Sequence, residues 1–151
     1  MAVRLVPFDP AVHAGLVTPL AQLWLDSWRS TGTANEEVVL VEDLAARIRE
    51  ETATVWEVTL AFQDDVLSGF MALRPHDNCL DQLFMAPTAK GQGLGSKLMD
   101  LAKQRLPDGM WLRTAEANHT ARAFYEKRGF HHYDTDQHPT LGYARVFYRC
   151  P

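Results

Sequence analysis

The chain has 151 residues, of which 46% are hydrophobic and 23% charged, and its formal net charge at pH 7 is −4. This length and balance are typical of one globular domain, 1–151, and the acidic charge argues against nucleic acid as a partner while weakly favouring cationic ligands such as amines. No apolar run approaches the length of a membrane span, and the first residues lack a signal-peptide core. The spacing of Cys79 and Cys150 fits no metal or redox motif. We therefore expect a cytoplasmic protein without membrane attachment.

Two periodicities define the elements in the first half of the chain. Apolar residues at helical spacing after Thr18 and Pro19 predict a helix with Thr18 as its N-cap. Alternation over 56–62 predicts a strand with one buried face, and Asp64 and Asp65 suit the hairpin turn that follows it. The predicted elements are a strand at 3–6, a helix from Thr18, a second helix from about Glu42, and strands at 56–62 and 66–73.

A glycine-rich turn follows the next predicted strand, 80–85, and leads into an amphipathic helix. Residues 90–96 read Lys-Gly-Gln-Gly-Leu-Gly-Ser. The glycines let a ligand approach backbone N–H groups closely, and the first amides of the helix have no partners within it, so the turn suits a diphosphate. Its spacing matches neither the P-loop nor the dinucleotide-binding fingerprint. A tight connection that binds nothing is the alternative.

A second constellation lies downstream of a short apolar strand at 110–112. Asn118 is a natural N-cap for the helix that follows, and Gly129 suits the left-handed end of that helix. Two further strands are predicted at 130–134 and 142–149. The complete order, β-α-α-β-β-β-α-β-α-β-β, indicates an α/β fold with a mixed sheet and helices on both faces.

Together the two segments resemble the GNAT superfamily of N-acetyltransferases. Residues 90–95 are similar to its pyrophosphate loop, Gln/Arg-x-x-Gly-x-Gly/Ala, with Lys90 at the position where the family usually has Arg or Gln. Residues 118–130 are similar to its Asn-x-x-Ala-x-x-Phe-Tyr-x-x-x-Gly-Phe segment. The resemblance covers about 67–130. It implies a mostly antiparallel sheet of six to seven strands, acetyl-CoA as co-substrate without a metal, and transfer of an acetyl group to a primary amine.

The resemblance also implies which residues hold the co-substrate. The N–H groups of the glycine-rich turn would bind the diphosphate, and the edge of the strand at 80–85 would pair with pantetheine amides as an added strand does. As a helix cap alone Asn118 needs no ligand, so both interpretations of this residue stay open. The predicted cofactor-binding residues are Leu83, Phe84, Met85, Lys90, Gly91, Gln92, Gly93, Leu94, Gly95, Ser96, Asn118 and Phe124.

Tyr125 is the predicted catalytic residue, because it stands at the family's tyrosine position and its hydroxyl can donate a proton to a leaving thiolate. A buried tyrosine bonded to a backbone group is the structural alternative. The general base is not determined: Asp81, Glu116, His131 and ordered water are the candidates. Arg113 occupies the region in which many members of the family carry a glutamate.

Several alternatives remain open at this stage. A non-catalytic acyl-CoA-binding sensor would need no acid on the thiol side, so Tyr125 favours the enzyme. The first two helices and the loop at 136–142 are expected to determine the acceptor, which is a small-molecule amine or a peptide. Trp24 and Trp28 either pack in the core or form a wall of the acceptor pocket. The acyl-chain preference is open, and the sequence is compatible with a homodimer without requiring one.

Overall fold

The computed structural model describes residues 2–31, 39–89, 91 and 93–151, and these ranges contain seven strands and four α-helices. The strands are β1 (Val3–Pro7), β2 (Glu57–Gln63), β3 (Val66–Arg74), β4 (Cys79–Met85), β5 (Met110–Ala115), β6 (His131–Gln137) and β7 (Ala144–Cys150). The helices are α1 (Val17–Ser30), α2 (Val41–Thr54), α3 (Leu94–Arg105) and α4 (His119–Lys127). The order of strands and α-helices agrees with the sequence-based prediction.

The strands form one sheet in the order β1-β2-β3-β4-β5-β7-β6. Neighbouring strands are antiparallel throughout, except for β4 and β5, which are parallel. The β2–β3 hairpin turns at Asp64 and Asp65, whose φ values are 50° and 65°. Positive φ at both central residues matches the right-handed twist of the flanking strands. The predicted mixed, mostly antiparallel sheet is confirmed.

Helices cover both faces of the sheet, and each face has its own apolar cluster. Leu20 of α1 and Phe70 of β3 are fully buried on one face. Leu98 of α3 and Met71 of β3 are fully buried on the other. Neighbouring residues of a strand point to opposite faces, so β3 contributes to both clusters. In the described ranges, no helix combines the length and apolar character needed to cross a membrane.

The start of α1 differs from the prediction. The helix begins at Val17, and its N-cap is Leu16, which makes no side-chain cap hydrogen bond. A 3-10 turn at 14–16 leads directly into the helix, so Thr18 and Pro19 lie within its first turn. Proline is tolerated there because first-turn amides have no intrahelical partner. The prediction of Thr18 as N-cap is therefore wrong, since the preceding turn supplies the start of the helix.

Strands β4 and β5 meet at one end and then separate. Their pairing within the described residues is confined to Cys79 and Trp111, and the Trp111 amide donates to the Asn78 carbonyl at 3.0 Å. The register of β4 against β3 shifts at Asp81, which has no residue opposite it. Such a bulge bends the strand and re-aims its side chains. A wedge therefore opens in the middle of the sheet, and no described strand pairs with the β5-facing edge of β4 beyond Cys79.

The two cysteines are expected to differ strongly in reactivity. Cys79 is fully buried at the closed end of the wedge, and burial, reinforced by the nearby Asp81 carboxylate, raises the pKa of its thiol to about 12. Because the thiolate is the reactive form, Cys79 should label with a thiol reagent only when the protein unfolds, whereas the half-buried Cys150 should label in the native state. Native labelling should yield one rapid equivalent, which Cys150→Ser abolishes. Two equally rapid equivalents would contradict the burial of Cys79.

Candidate active site

The wedge between β4 and β5 holds a cavity of about 410 Å³, here called the loop cavity because the glycine-rich turn forms one of its walls. Its volume lies within the range of about 300–1,000 Å³ that small-molecule sites occupy. Lys90 and Gln92, two of the predicted residues, lie outside the described part of the chain. The predicted residues that line the loop cavity are Leu83, Phe84, Met85, Gly91, Gly93, Leu94, Gly95, Ser96, Asn118, Phe124 and Tyr125.

Two glycines shape the turn that leads into α3. Gly91 and Gly93 have φ values of 82° and 80°, in the left-handed region that favours glycine. A Cβ at either position would meet nothing within 4 Å, so the backbone angle rather than space requires glycine here. Gly93 is the N-cap of α3 and offers no side-chain cap. The first-turn amides of α3, together with the positive end of the helix dipole, are suited to an anion, and anion binding there stays a prediction.

Arg128 adds a fixed cation beside the start of α3, and no local sequence pattern points to this residue. Its guanidinium donates to the Ser96 hydroxyl and, at 3.0 Å, to the Phe124 carbonyl. The same group lies 3.6 Å from the centre of the Phe124 ring. Ser96 and Arg128 are far apart in the chain, so only the packing of α4 beside α3 reveals the pair. A positive charge therefore lines the loop cavity next to the anion site.

Tyr125 lines the loop cavity while most of its side chain is buried. The residue is 8% exposed, and its ring packs edge-on against Phe124 and Phe130, with centroid separations of 5.5 and 5.7 Å. No described residue forms a hydrogen bond with its hydroxyl, so the backbone-bonded alternative is not observed in this part of the chain. Burial raises the pKa of Tyr125 well above its ordinary value near 10. The hydroxyl is therefore protonated at neutral pH and can act as a proton donor.

A second cavity, of about 230 Å³, lies between the splayed strands, α1, α2 and the β6–β7 connection. We call it the arginine cavity, because Arg47, Arg113 and Arg145 line it. Trp24 and Trp28 line it as well, although Trp24 is buried and its ring also packs against the ring of Phe70. Trp24 therefore packs in the core and also forms part of the wall of this cavity. Residues of α1, α2 and the loop at 136–142 line this cavity, and their expected role in determining the acceptor stays a prediction.

The two cavities share a wall where the strands separate, and Asp81 and Arg113 line both. The Asp81 carboxylate accepts a hydrogen bond from the Arg113 guanidinium at 3.1 Å and another from the Trp56 indole at 2.8 Å. Its side chain is 1% exposed, against 24% for Arg113. Asp81 therefore acts as a buried anchor that holds a guanidinium at the boundary of the two cavities.

Asn118 lies at the same boundary and lines both cavities. Its side-chain oxygen accepts a hydrogen bond from the Ala121 amide at 3.2 Å, which confirms it as the N-cap of α4. Gly129 has a φ of 91°, so the predicted left-handed residue after α4 is also confirmed. Asn118 can cap α4 and still contact a ligand, because it lines the loop cavity. The ligand contact stays a prediction.

The candidates for a general base are dispersed. Asp81 lines both cavities, but both of its carboxylate oxygens already accept hydrogen bonds. Glu116 and His131 are exposed and line neither cavity. Within the described ranges, no group of three or more His, Cys, Asp or Glu side chains could hold a metal ion.

His138 lines the arginine cavity, although the sequence analysis did not single it out. Its Nδ1 atom accepts hydrogen bonds from the amides of Thr140 and Leu141 at 3.2 and 3.0 Å. Burial lowers the pKa of His138 below 6.5, and the three guanidinium groups of the cavity lower it further. The ring is therefore neutral at neutral pH with its proton on Nε2, so neither nitrogen is available to accept a proton from a substrate.

Known proteins resemble this chain in sequence and in fold. The sequence profile of the acetyltransferase (GNAT) family matches residues 18–130. Peptidyl-lysine N-acetyltransferase YiaC of Escherichia coli K12 is 31% identical in an alignment of 124 residues, and the match covers 74% of this chain and 75% of the relative. The apo form of Escherichia coli YjaB superposes with a TM-score of 0.76 at 22% identity, covering 99% of this chain and 97% of that one. The PaiA N-acetyltransferase of Thermoplasma acidophilum, solved with coenzyme A, superposes with a TM-score of 0.74 at 20% identity, covering 97% and 98%.

Proposed function

The chain belongs to the GNAT acetyltransferase family, and on that premise we propose that it transfers the acetyl group of acetyl-CoA directly to a primary amine, with Tyr125 as general acid. The observation that carries this assignment is the meeting of two cavities at the separated strands β4 and β5. One cavity has an anion site at a helix N-terminus, and the other offers a separate approach to the shared wall. The name of the peptidyl-lysine relative supports a lysine ε-amine as the acceptor group.

Acetyl-CoA binds in the loop cavity in this proposal. The first-turn amides of α3 and the Arg128 guanidinium receive its diphosphate, because they supply N–H donors and positive charge side by side. The unpaired edge of β4 at 83–85 pairs with the pantetheine amides as an added strand would. Asn118 and Phe124 border the pantetheine arm. The thioester then lies near the shared wall and Tyr125.

The reaction forms one bond and breaks another. The amine nitrogen attacks the thioester carbonyl carbon, the C–N bond forms, and the C–S bond breaks with its electron pair on sulfur. A free thiol has a pKa of about 8.5, so protonation assists the departing thiolate at neutral pH. Tyr125, which burial keeps protonated, donates this proton and regains one from solvent. The amine gives its own proton to water.

The pH dependence should reflect the amine and not an enzyme base. We expect log kcat/KM for a lysine side chain to rise with a slope of one between about pH 6 and about pH 9, because a free lysine amine titrates near 10.4. The Nδ1 atom of His138 already accepts two amide hydrogen bonds and its Nε2 carries the proton, so His138→Gln should preserve this profile. The measurement is kcat/KM against pH for both proteins. A plateau governed by a group near pH 6.5 that disappears in His138→Gln would identify His138 as a base instead.

The proposed function is tested by thiol release from acetyl-CoA with a panel of amines, amino acids, aminoglycosides and short lysine peptides. Mass spectrometry of the products identifies which amine carries the acetyl group. Turnover on one class supports the enzyme and identifies its acceptor. Tight acetyl-CoA binding without acetylation of any class would contradict the proposal and favour the non-catalytic sensor.

A further inference from the structure

The arginine cavity has an excess of positive charge among the described residues. Arg47, Arg113 and Arg145 line it, and Asp81 supplies a carboxylate to the same lining. Arg113 pairs with Asp81 at 3.1 Å, and Arg145 pairs with Asp136 at 2.6 Å. Arg47 forms no ion pair with any described carboxylate. Its positive charge is therefore uncompensated in this part of the chain.

Among the described residues, aromatic rings rather than an acid contact the Arg47 guanidinium. Its guanidinium carbon lies 5.2 Å from the centre of the Trp24 ring and 5.5 Å from that of Trp56. Such contacts orient a cation without neutralising it. The Trp56 indole also donates to Asp81, so Arg47 is connected to the shared wall through one ring. A guanidinium fixed in this way presents planar N–H donors that match a carboxylate.

The rings of His138 and Tyr143 lie in the same cavity as these three guanidinium groups. His138 and Tyr143 stack with their centroids 4.9 Å apart, and both line the arginine cavity. After burial, the guanidinium groups of Arg145, Arg113 and Arg47 are the largest causes that lower the pKa of His138. These charges disfavour the binding of a further cation in the cavity and favour the binding of an anion.

We propose that the acceptor amine belongs to a molecule that also carries a carboxylate, and that Arg47 binds this carboxylate in the arginine cavity. This inference rests on the proposed function, which makes the arginine cavity the acceptor side. The carboxylate has two sources: the α-carboxylate of a free amino acid, or an acidic side chain beside the lysine of a peptide. In both cases the anion meets Arg47 while the amine reaches the shared wall.

Pairs of acceptor substrates that differ in negative charge test whether the protein recognises the carboxylate. Nα-acetyl-lysine and its C-terminal amide present the same ε-amine and differ in one negative charge. We expect the acid to have a KM about tenfold lower, the effect of one charge-assisted hydrogen-bonded pair. The peptides acetyl-Glu-Lys-Glu-amide and acetyl-Gln-Lys-Gln-amide test the second source in the same way. A preference for the acidic member of either pair supports the proposal and identifies the source, and equal KM values within both pairs would overturn it.

Variants of α2 assign the effect to one residue. Arg47→Gln should remove the preference for the acid by raising its KM, while kcat and the KM for acetyl-CoA stay near their original values. Arg47→Lys should retain part of the preference, because it keeps the charge and loses the planar fork. Arg49→Gln, an exposed change on the same helix, is the matched control and should behave as the original protein. A preference that survives in folded Arg47→Gln protein would overturn the role of Arg47.

A binding measurement separates the failure of this inference from the failure of the proposed function. Trp24 and Trp56 adjoin Arg47, so their fluorescence should respond when Nα-acetyl-lysine enters the arginine cavity. Tighter binding of the acid than of the amide, lost in Arg47→Gln, supports carboxylate recognition even if no amine is acetylated. Acetylation of both probes with equal KM and equal binding contradicts carboxylate recognition and leaves the acetyltransferase intact.

Discussion

Tyr125→Phe should lower kcat for acetyl transfer by about 10²- to 10⁴-fold, the usual contribution of a positioned general acid. The KM and Kd for acetyl-CoA should not change, because the phenylalanine ring retains the packing against Phe124 and Phe130. The raised pKa of Tyr125 keeps the hydroxyl protonated, so kcat should show no loss from its ionisation below pH 10. Steady-state kinetics with the preferred amine, and calorimetry with acetyl-CoA, measure the two effects.

Tyr133→Phe is the matched control for the loss of a hydroxyl. Tyr133 lies on β6, is 41% exposed and lines neither cavity, so its variant should retain full activity. Normal kcat in Tyr125→Phe would show that solvent protonates the thiolate and that Tyr125 is a packing residue. A rise in the KM for acetyl-CoA without a loss of kcat would make Tyr125 a binding residue.

Asp81→Asn should lower the free energy of unfolding by about 3 kcal/mol. The amide is nearly isosteric and can still accept the Trp56 hydrogen bond, but it leaves the partly buried Arg113 guanidinium without its counter-charge. The value lies at the lower end of the range for a broken buried pair, because Arg113 keeps 24% exposure. Urea unfolding followed by tryptophan fluorescence measures the loss.

An exposed ion pair provides the control. Glu57 and Arg105 form two hydrogen bonds, at 2.6 and 2.9 Å, with both side chains in contact with water. Glu57→Gln should cost less than about 1 kcal/mol, as surface pairs do. Adding Arg113→Met to Asp81→Asn should recover stability, because it removes the stranded charge. Equal losses for the two single variants would contradict the buried character of the Asp81–Arg113 pair.

Local signals predicted the parts of the site that depend on neighbouring residues. The glycines before α3, the Asn118 cap and the Gly129 terminus each follow from backbone angles or short-range hydrogen bonds, and the described part of the chain shows all three. Strand and helix order followed from periodicity in the same way. Thr18 failed as an N-cap because the helix continues from a 3-10 turn that carries no clear sequence signal.

The parts that sequence did not predict are contacts between distant segments. Arg128 meets Ser96 across two helices, and Arg113 meets Asp81 across the wedge of the sheet. The bulge at Asp81 has no residue pattern of its own, yet it helps to separate β4 from β5. Arg47 is one of several charged residues of α2, and only its position beside two indole rings supports the proposed role.

The net charge of the chain does not describe the charge of an individual cavity. The chain carries −4 overall, which favours cationic ligands in general, but the described lining of the arginine cavity has three guanidinium groups and the Asp81 carboxylate. Local potential depends on which charges face a cavity, and most acids of this chain lie elsewhere on the surface. An acidic protein can therefore contain a site that selects an anionic group.

The most direct test is a crystal structure with a bisubstrate analogue in which the CoA sulfur is linked through an acetyl bridge to the ε-amine of Nα-acetyl-lysine. The account predicts the diphosphate on the first-turn amides of α3, the sulfur within hydrogen-bonding distance of the Tyr125 hydroxyl, and the carboxylate on Arg47. A diphosphate bound away from α3, or a sulfur beyond the reach of Tyr125, would contradict it.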